Sequence, residues 1–399
     1  MQKTKKFSLF PNFSDRLIFI GAIALALYGS FMIISAEMGE TTADLSQISS
    51  ASLKQGISLI VGVLCLYIFT KVRFIKLQMH YIWIGYFVVL GLLILTRAFA
   101  PVGGAYGWIR IAGFSLQPSE FAKLYIILLA AKLFEIDNPK TNIKKFRIFC
   151  ICALAYVGVV FVIQNDLGSA VVIGGIAYVC ALVAPYKEYR KIQNWMLILI
   201  VFGLLGAVIL LSSFGTKMLE SLGGSYKIKR FLASADPFAY QYDSGYHLVM
   251  SLVSFATGGI FGLGYGKSIH KFMNFPNPST DFILPVIIEE MGVVFGLIPI
   301  LILFGFIIFP LAYHSLKCEY ARGKIIMIGA FMYFILHFIL NVGGVSGFIP
   351  LTGVPLLLVS SGGSSLISCL ATLGLAEGEI INYRKRKYNK HNENNSRQI

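Results

Sequence analysis

Apolar runs close to twenty residues long recur from one end of this chain to the other, and that is the length a helix needs to cross a bilayer. They lie at about 17–35, 55–70, 81–96, 119–134, 148–164, 168–184, 194–213, 282–311, 325–342 and 355–380. The expected fold is an all-α integral membrane protein with ten transmembrane helices. Composition agrees, because 56% of the 399 residues are hydrophobic and 13% are charged, with a mean hydropathy of +0.74. A soluble domain of this size is less apolar. Only Gln164, Asn165 and Asp166 separate the fifth run from the sixth.

Charge orients the spans. With a cytoplasmic N-terminus, twenty-four of the 34 basic residues fall on the cytoplasmic side: in the arm up to Arg16, at 71–76, 132–147, 187–191 and 317–324, and after 383. The positive-inside rule then places both termini in the cytoplasm of a multi-pass cell-membrane protein. The net charge of +15 is mostly a topology signal. Its clusters are short, scattered between spans and not interleaved with aromatics, which points to anionic lipid head groups and away from nucleic acid. Lys3, Lys5 and Lys6 are set off from the first span by a polar stretch, and no small-residue cleavage site follows it. The first span is therefore expected to be retained and not cleaved as a signal peptide. The expected organisation is a cytoplasmic arm at 1–16, a membrane domain at 17–380 and a basic cytoplasmic tail at 381–399. A large extracytoplasmic loop, 212–280, joins helices seven and eight.

Five of the six cysteines (Cys65, Cys150, Cys152, Cys180, Cys369) sit in apolar segments and Cys318 in a cytoplasmic loop, so no extracytoplasmic disulfide is expected. No Cys/His spacing suggests zinc and no glycine-rich phosphate loop follows a strand. Any chemistry must be assembled from the spans and their outer loops. The segment 101–118 is short and rich in glycine and aromatics, whereas 212–280 is far longer than a connector requires. Within it, His247–Ile260 is apolar enough to lie in or dip into the interface. Gly258, Gly259, Gly262, Gly264 and Gly266 then permit tight turns, unless they merely make a flexible surface loop. At the end of that loop, in Phe275-Pro276-Asn277-Pro278-Ser279-Thr280-Asp281-Phe282, Asp281 stands at the mouth of a span. A carboxylate there is expensive to desolvate and so marks a candidate functional group.

Each candidate has a structural rival. Asp281 could cap the helix that starts beside it. Glu120 and Lys123, spaced i to i+3, could neutralise one another inside the bundle. Asp166 lies where a turn between two spans would explain it, and Glu290 lies inside the eighth span, where it implies a cavity or a buried pair. Gly362 to Ser365 read as small residues allowing close helix packing.

Several runs together make the chain resemble a known family. They are Gly104-Ala105-Tyr106-Gly107-Trp108, Gln117-Pro118-Ser119-Glu120-Phe121-Ala122-Lys123, Asp166-Leu167-Gly168, Gly258-Gly259-Ile260-Phe261-Gly262 with Thr280-Asp281-Phe282, and Pro350-Leu351-Thr352-Gly353-Val354-Pro355 with Gly362-Gly363-Ser364-Ser365. In this order they resemble the SEDS family, the FtsW, RodA and SpoVE proteins. The stretch Gly266-Lys267-Ser268-Ile269-His270-Lys271 looks closer to FtsW than to RodA. The resemblance implies a peptidoglycan glycosyltransferase that polymerises lipid II into glycan strands outside the cytoplasmic membrane. It also implies work beside a class B penicillin-binding protein in a division or elongation complex. The family's catalytic aspartate, in its Thr-Asp-Phe motif, falls on Asp281. Departures are Gly107, where the family carries arginine before the tryptophan; Asn277-Pro278-Ser279, where it carries Pro-Glu-Ala-His; and Ser361, where it carries tyrosine.

In that chemistry the 4-hydroxyl of a GlcNAc attacks the anomeric carbon of a MurNAc whose leaving group is a lipid diphosphate. A positioned base accelerates such a step by roughly a hundredfold to ten-thousandfold, and Asp281 is the candidate base. The charge on the leaving group calls for cations or a divalent metal ion. Lys123 and Arg110 are the first candidates, then Lys227, Lys229 and Arg230. Glu120, Asp166 and Glu290 complete the expected substrate-binding set. The rival readings are a lipid II flippase and a non-catalytic scaffold for a penicillin-binding protein.

Overall fold

The computed structural model describes residues 13–396 apart from 40–44, 72–77, 112–113, 136–141, 186, 222–225, 274 and 276. Lys3, Lys5 and Lys6 of the N-terminal arm, Arg73, Lys76, Lys140 and Arg397 of the basic clusters, and the side chain of Lys227 lie outside what is described.

Helices occupy all ten of the apolar runs. They are α1 (Phe13–Glu37), α2 (Leu45–Lys71), α3 (Met79–Leu95), α4 (Pro118–Leu133), α5 (Asn142–Gly158), α6 (Leu167–Leu182) and α7 (Arg190–Leu211). Between α7 and the next long span lie three short helices, α8 (Ser213–Ser221), α9 (Tyr226–Ala235) and α10 (Tyr246–Gly258). The eighth run holds α11 (Ile283–Gly292) and α12 (Ile298–Lys317), followed by α13 (Ala321–Val345) and α14 (Gly363–Ser396). Among the described residues eight segments are long and apolar enough to cross a membrane, and α4 and α6, at 16 residues each, are shorter. A two-stranded antiparallel hairpin, β1 (Ile109–Ile111) with β2 (Phe114–Leu116), sits ahead of α4.

Three boundaries differ from the sequence expectation. The eighth span runs unbroken in hydropathy over Ile283–Lys317, 35 residues, but Gly292 takes φ +67° and a π-helical turn, Val293–Leu297, follows it. The tenth helix starts at Gly363, not 355, because residues 351–356 carry no regular secondary structure and Gly353 and Leu358 both take φ +68°. It then runs on to Ser396, through most of the segment expected as a tail. The break between α5 and α6 falls at Gln164–Asp166 as expected, with Asn165 at φ +55°.

Bilayer-spanning helices gain little from burying apolar side chains against one another, so small residues that let backbones approach decide the packing. At Gly374 of α14 an added Cβ would lie 2.3 Å from the Leu66 carbonyl oxygen of α2, and at Gly29 of α1 one would lie 2.5 Å from Val359 Cα. Polar anchors supplement this: the hydroxyl of Tyr156 donates to the Tyr86 carbonyl, and that of Tyr86 to the Cys152 carbonyl, each at 3.0 Å. The apolar window of α7 contains no buried residue, so this helix lies at the rim of the bundle. All six cysteines are free thiols, and Cys318 is buried.

Candidate active site

Asp281 sits two residues ahead of α11. The residue at the helix cap is Phe282, and no side chain caps α11. The carboxylate is therefore not spent on the role its position first suggests. Its surface is half-buried, yet protein surrounds it closely enough that desolvation raises its pKa to about 7. Arg230 of α9 pulls the value down and Asp166 pushes it further up. The fold thus brings together three candidates that are far apart in sequence: Asp281, Asp166 and Arg230.

The irregular segment 350–355 holds this arrangement. Asn341 of α13 donates through Nδ2 to the carbonyls of Asp281 and Val354, each at 2.9 Å. At Gly353, with φ +68°, a Cβ would lie 3.4 Å from Asp281 Oδ2. The Thr352 carbonyl presses against Gly168, where a Cβ would meet it at 2.6 Å. Asp166 both caps α6, accepting from the Ser169 amide at 2.9 Å, and faces the site. The expected turn role and the expected site role are thus compatible. On the far side, His247 of α10 meets the Phe282 ring edge-on at 5.9 Å. Burial and the neighbouring Arg230 hold its imidazole below the usual pKa, so it is neutral at pH 7.

Lys123 and Glu120 are enclosed and paired at 2.6 Å. Glu120 also accepts from the Tyr333 hydroxyl at 2.8 Å, and Lys123 donates to His337 Nε2 at 3.0 Å. With that nitrogen accepting, His337 Nδ1 donates to the Pro355 carbonyl at 3.1 Å. The pair therefore abuts the segment that carries Thr352 and Gly353 without reaching Asp281 itself. Arg110 is exposed on β1. Gly107, which stands where arginine was expected, is buried, and a Cβ there would lie 3.9 Å from Asp166 Oδ2. Arg97 stacks on the Tyr106 ring at 3.8 Å in the same loop.

Glu290 lies apart from Asp281, in a second buried cluster that includes Ser35 and Glu289, which no sequence pattern flagged. It accepts from Lys271 Nζ at 2.6 Å and from the Ser35 hydroxyl at 2.7 Å. Its neighbour Glu289 accepts from the Ser268 hydroxyl at 2.6 Å and bonds His270 Nδ1 at 2.8 Å. This is the buried-pair reading of Glu290, and it ties the glycine-rich loop to α11. The loop is laced to the same helix by its backbone: Leu263 and Gly264 amides donate to the Glu289 and Glu290 carbonyls, and Val293 and Val294 amides to those of Gly259 and Ile260. Gly362 to Ser365 do more than allow packing, since Ser364 Oγ accepts from the Gln117 amide at 3.0 Å and so joins α14 to the β1–β2 hairpin.

Among the described residues no group of three or more His, Cys, Asp or Glu stands together to hold a metal ion. Of the signals missed in the sequence, only the adjacent Glu289-Glu290 inside an apolar run was visible in principle. Asn341 is a lone polar residue with no spacing to mark it, whereas Thr352 lies within the Pro350–Pro355 run that carries the family resemblance.

Comparison with known proteins gives a consistent answer. The sequence model of the FtsW/RodA/SpoVE family, described as a cell cycle protein family, matches residues 15–385. The probable peptidoglycan glycosyltransferase FtsW of Bacillus subtilis strain 168 is 30% identical over 374 residues, covering 90% of this chain and 89% of that protein. Stage V sporulation protein E of the same organism is 30% identical over 369 residues, covering 90% and 95%. A chain of a peptidoglycan synthase complex, solved for its coordination of polymerization and crosslinking, superposes with a TM-score of 0.66 at 23% identity, covering 92% of this chain and 97% of that one. The rod shape determining protein RodA of Thermus thermophilus superposes at 0.58 with 23% identity, covering 92% and 96%.

Proposed function

From the premise that this chain belongs to the FtsW/RodA/SpoVE family, we infer that it is a multi-pass membrane peptidoglycan glycosyltransferase whose general base is Asp281. The observation that carries the residue assignment is a carboxylate with a pKa near 7, unused as a cap, between Arg230 and Asp166. A base with its pKa near the working pH combines a usable fraction of anion with enough basicity to accept a proton.

Asp281 removes the proton from the 4-hydroxyl of the acceptor GlcNAc. The hydroxyl oxygen bonds to the anomeric carbon of MurNAc, the bond from that carbon to the diphosphate oxygen breaks, and its electron pair stays on the diphosphate. The proton held by Asp281 then passes to water. The diphosphate leaves as an anion, so it needs cations and not a second carboxylic acid. Arg230 and Arg110 meet its charge directly. Lys123 and Glu120 support the 350–355 segment from behind, through His337 and Pro355. Asp166 raises the basicity of Asp281, and Glu290 holds the loop that precedes it. A divalent ion at the diphosphate would find two nearby protein carboxylates, Asp281 and Asp166, and no step above runs through it.

The ten helices all cross the membrane, with both termini cytoplasmic and the 212–280 segment and Asp281 outside. A class B penicillin-binding protein is the partner, and the role is FtsW-like division. The flippase reading is not favoured, because the curated relatives carry the glycosyltransferase name. Purified protein given labelled lipid II should lengthen glycan strands in detergent, and Asp281→Asn should abolish this while the protein stays folded. Strand synthesis by that variant at the wild-type rate would remove Asp281 from its role.

A further inference from the structure

Three polar atoms around Asp281 are buried and have no hydrogen-bond partner among the described residues: Asn341 Oδ1, Thr352 Oγ1 and His247 Nδ1. Each belongs to a residue fixed beside the carboxylate. Asn341, 3% exposed, is held by its own amide nitrogen, which donates to the Asp281 and Val354 carbonyls. That bonding also settles which end of the amide is which, so the atom left over is the oxygen, an acceptor. Thr352 adjoins Gly353, which lies against Asp281 Oδ2, and its own carbonyl is wedged against Gly168. His247 is set against Phe282, the residue after Asp281. A single buried polar atom without a partner is costly. Three of them, on residues packed around Asp281, Gly353 and Phe282, point to a polar ligand there.

We propose that Asn341 Oδ1, Thr352 Oγ1 and His247 Nδ1 form the subsite that receives the hydroxyl and acetamido groups of the acceptor amino sugar while Asp281 takes the proton of its attacking hydroxyl. The inference rests on the glycosyltransferase reading above. The donor and acceptor inventory selects the sugar over the diphosphate and the lipid chain of the substrate. An amide oxygen can only accept, so Asn341 Oδ1 requires an O–H or N–H. An ionised diphosphate has neither and a lipid chain has no polar group, whereas the rim of an N-acetylated amino sugar offers O–H and N–H donors. Thr352, whose hydroxyl donates and accepts, and the neutral imidazole of His247, whose Nδ1 does one or the other by tautomer, complete a surface that matches a ring carrying both kinds of group.

Thr352→Val tests this cleanly, because it replaces the unpaired oxygen with a methyl group of similar size and touches no protein hydrogen bond. Thermal stability in detergent should stay the same or rise. The kcat/KM for lipid II should fall about threefold to tenfold, the equivalent of one lost neutral hydrogen bond, with the loss mainly in KM. Thr352→Ser, which restores the oxygen, should recover most of it. Wild-type kinetics in Thr352→Val would overturn the proposal. So would a parallel loss of stability and activity, which would make Thr352 a structural residue. If the wild-type protein itself fails to polymerise lipid II, the glycosyltransferase reading fails instead, and the two failures are told apart by the wild-type control.

Discussion

With Asp281 as the proposed base, the enclosure that lifts its carboxyl from the ordinary 3.8 to about 7 predicts the pH at which polymerisation switches on. Polymerisation should rise with pH through about 7 and level off above, with Arg230 and Asp166 as the charged neighbours that set the midpoint. A rate that is flat between pH 5 and 8 would show that no such base limits the reaction. The same shift has a consequence for stability. Between about 4 and about 7 the folded protein holds a proton that the unfolded chain has released, so this group's contribution to stability falls as pH rises across that window. Asp281→Asn should therefore gain thermal stability relative to wild type as pH is raised from 4 to 8, read by melting in detergent. A second residue-scale prediction concerns Lys123. Breaking its enclosed pair with Lys123→Met strands Glu120 at a cost of roughly 3 to 5 kcal/mol, and adding Glu120→Gln should restore stability. Turnover that stays low in the double variant would mark the lysine as a support for the 350–355 segment. Full recovery of turnover would make it purely structural. Asp281 was legible in the sequence because an isolated carboxylate beside a span stands out against its apolar neighbours. Asn341 was not, and Thr352 and His247 were legible only as members of longer runs, since what marks all three is an unmatched atom in three dimensions.

At the scale of the elements, hydropathy located every long helix but not where two of them break. The α5–α6 break was visible because Gln164-Asn165-Asp166 is polar. The break at Gly292 was not, because Met291-Gly292-Val293-Val294 reads as uninterrupted apolar sequence while its backbone is committed elsewhere. Pro350 and Pro355 gave some warning that the last helix starts late. Gly292 takes φ +67° and ψ −171°, a region that side chains other than hydrogen do not tolerate, and a Cβ there would lie 2.4 Å from the Gly262 nitrogen. Gly292→Ala should lower stability by about 2 kcal/mol or more and reduce activity through the displaced C-terminal end of α11. A variant that melts like wild type would show that this break is not constrained by the loop. The hairpin was foreseen only as a short segment rich in glycine and aromatics, and α10 as an apolar element lying in or dipping into the interface. Their regular structure depends on partners far away in the chain, such as Ser364 for Gln117.

For the whole molecule, the order of the spans together with the distribution of Lys and Arg predicts the sides of the membrane. A reporter fused after Ile399 should be cytoplasmic and one inserted near Ser221 external, by enzymatic or fluorescent topology assay. An external C-terminal reporter would overturn the ten-span arrangement and put Asp281 on the wrong side for its substrate. The family fold superposes over 92% of the chain at only 23% identity with the solved synthase chain, and the lacing between Gly259–Gly264 and Glu289–Val294 offers one physical reason. Its four hydrogen bonds run between peptide groups, which every amino acid but proline carries in full. Side chains there are free to drift over generations as long as the turns keep their glycines. The coupling of the 259–264 loop to the helix that follows Asp281 thus rests on backbone geometry more than on the identity of the side chains there.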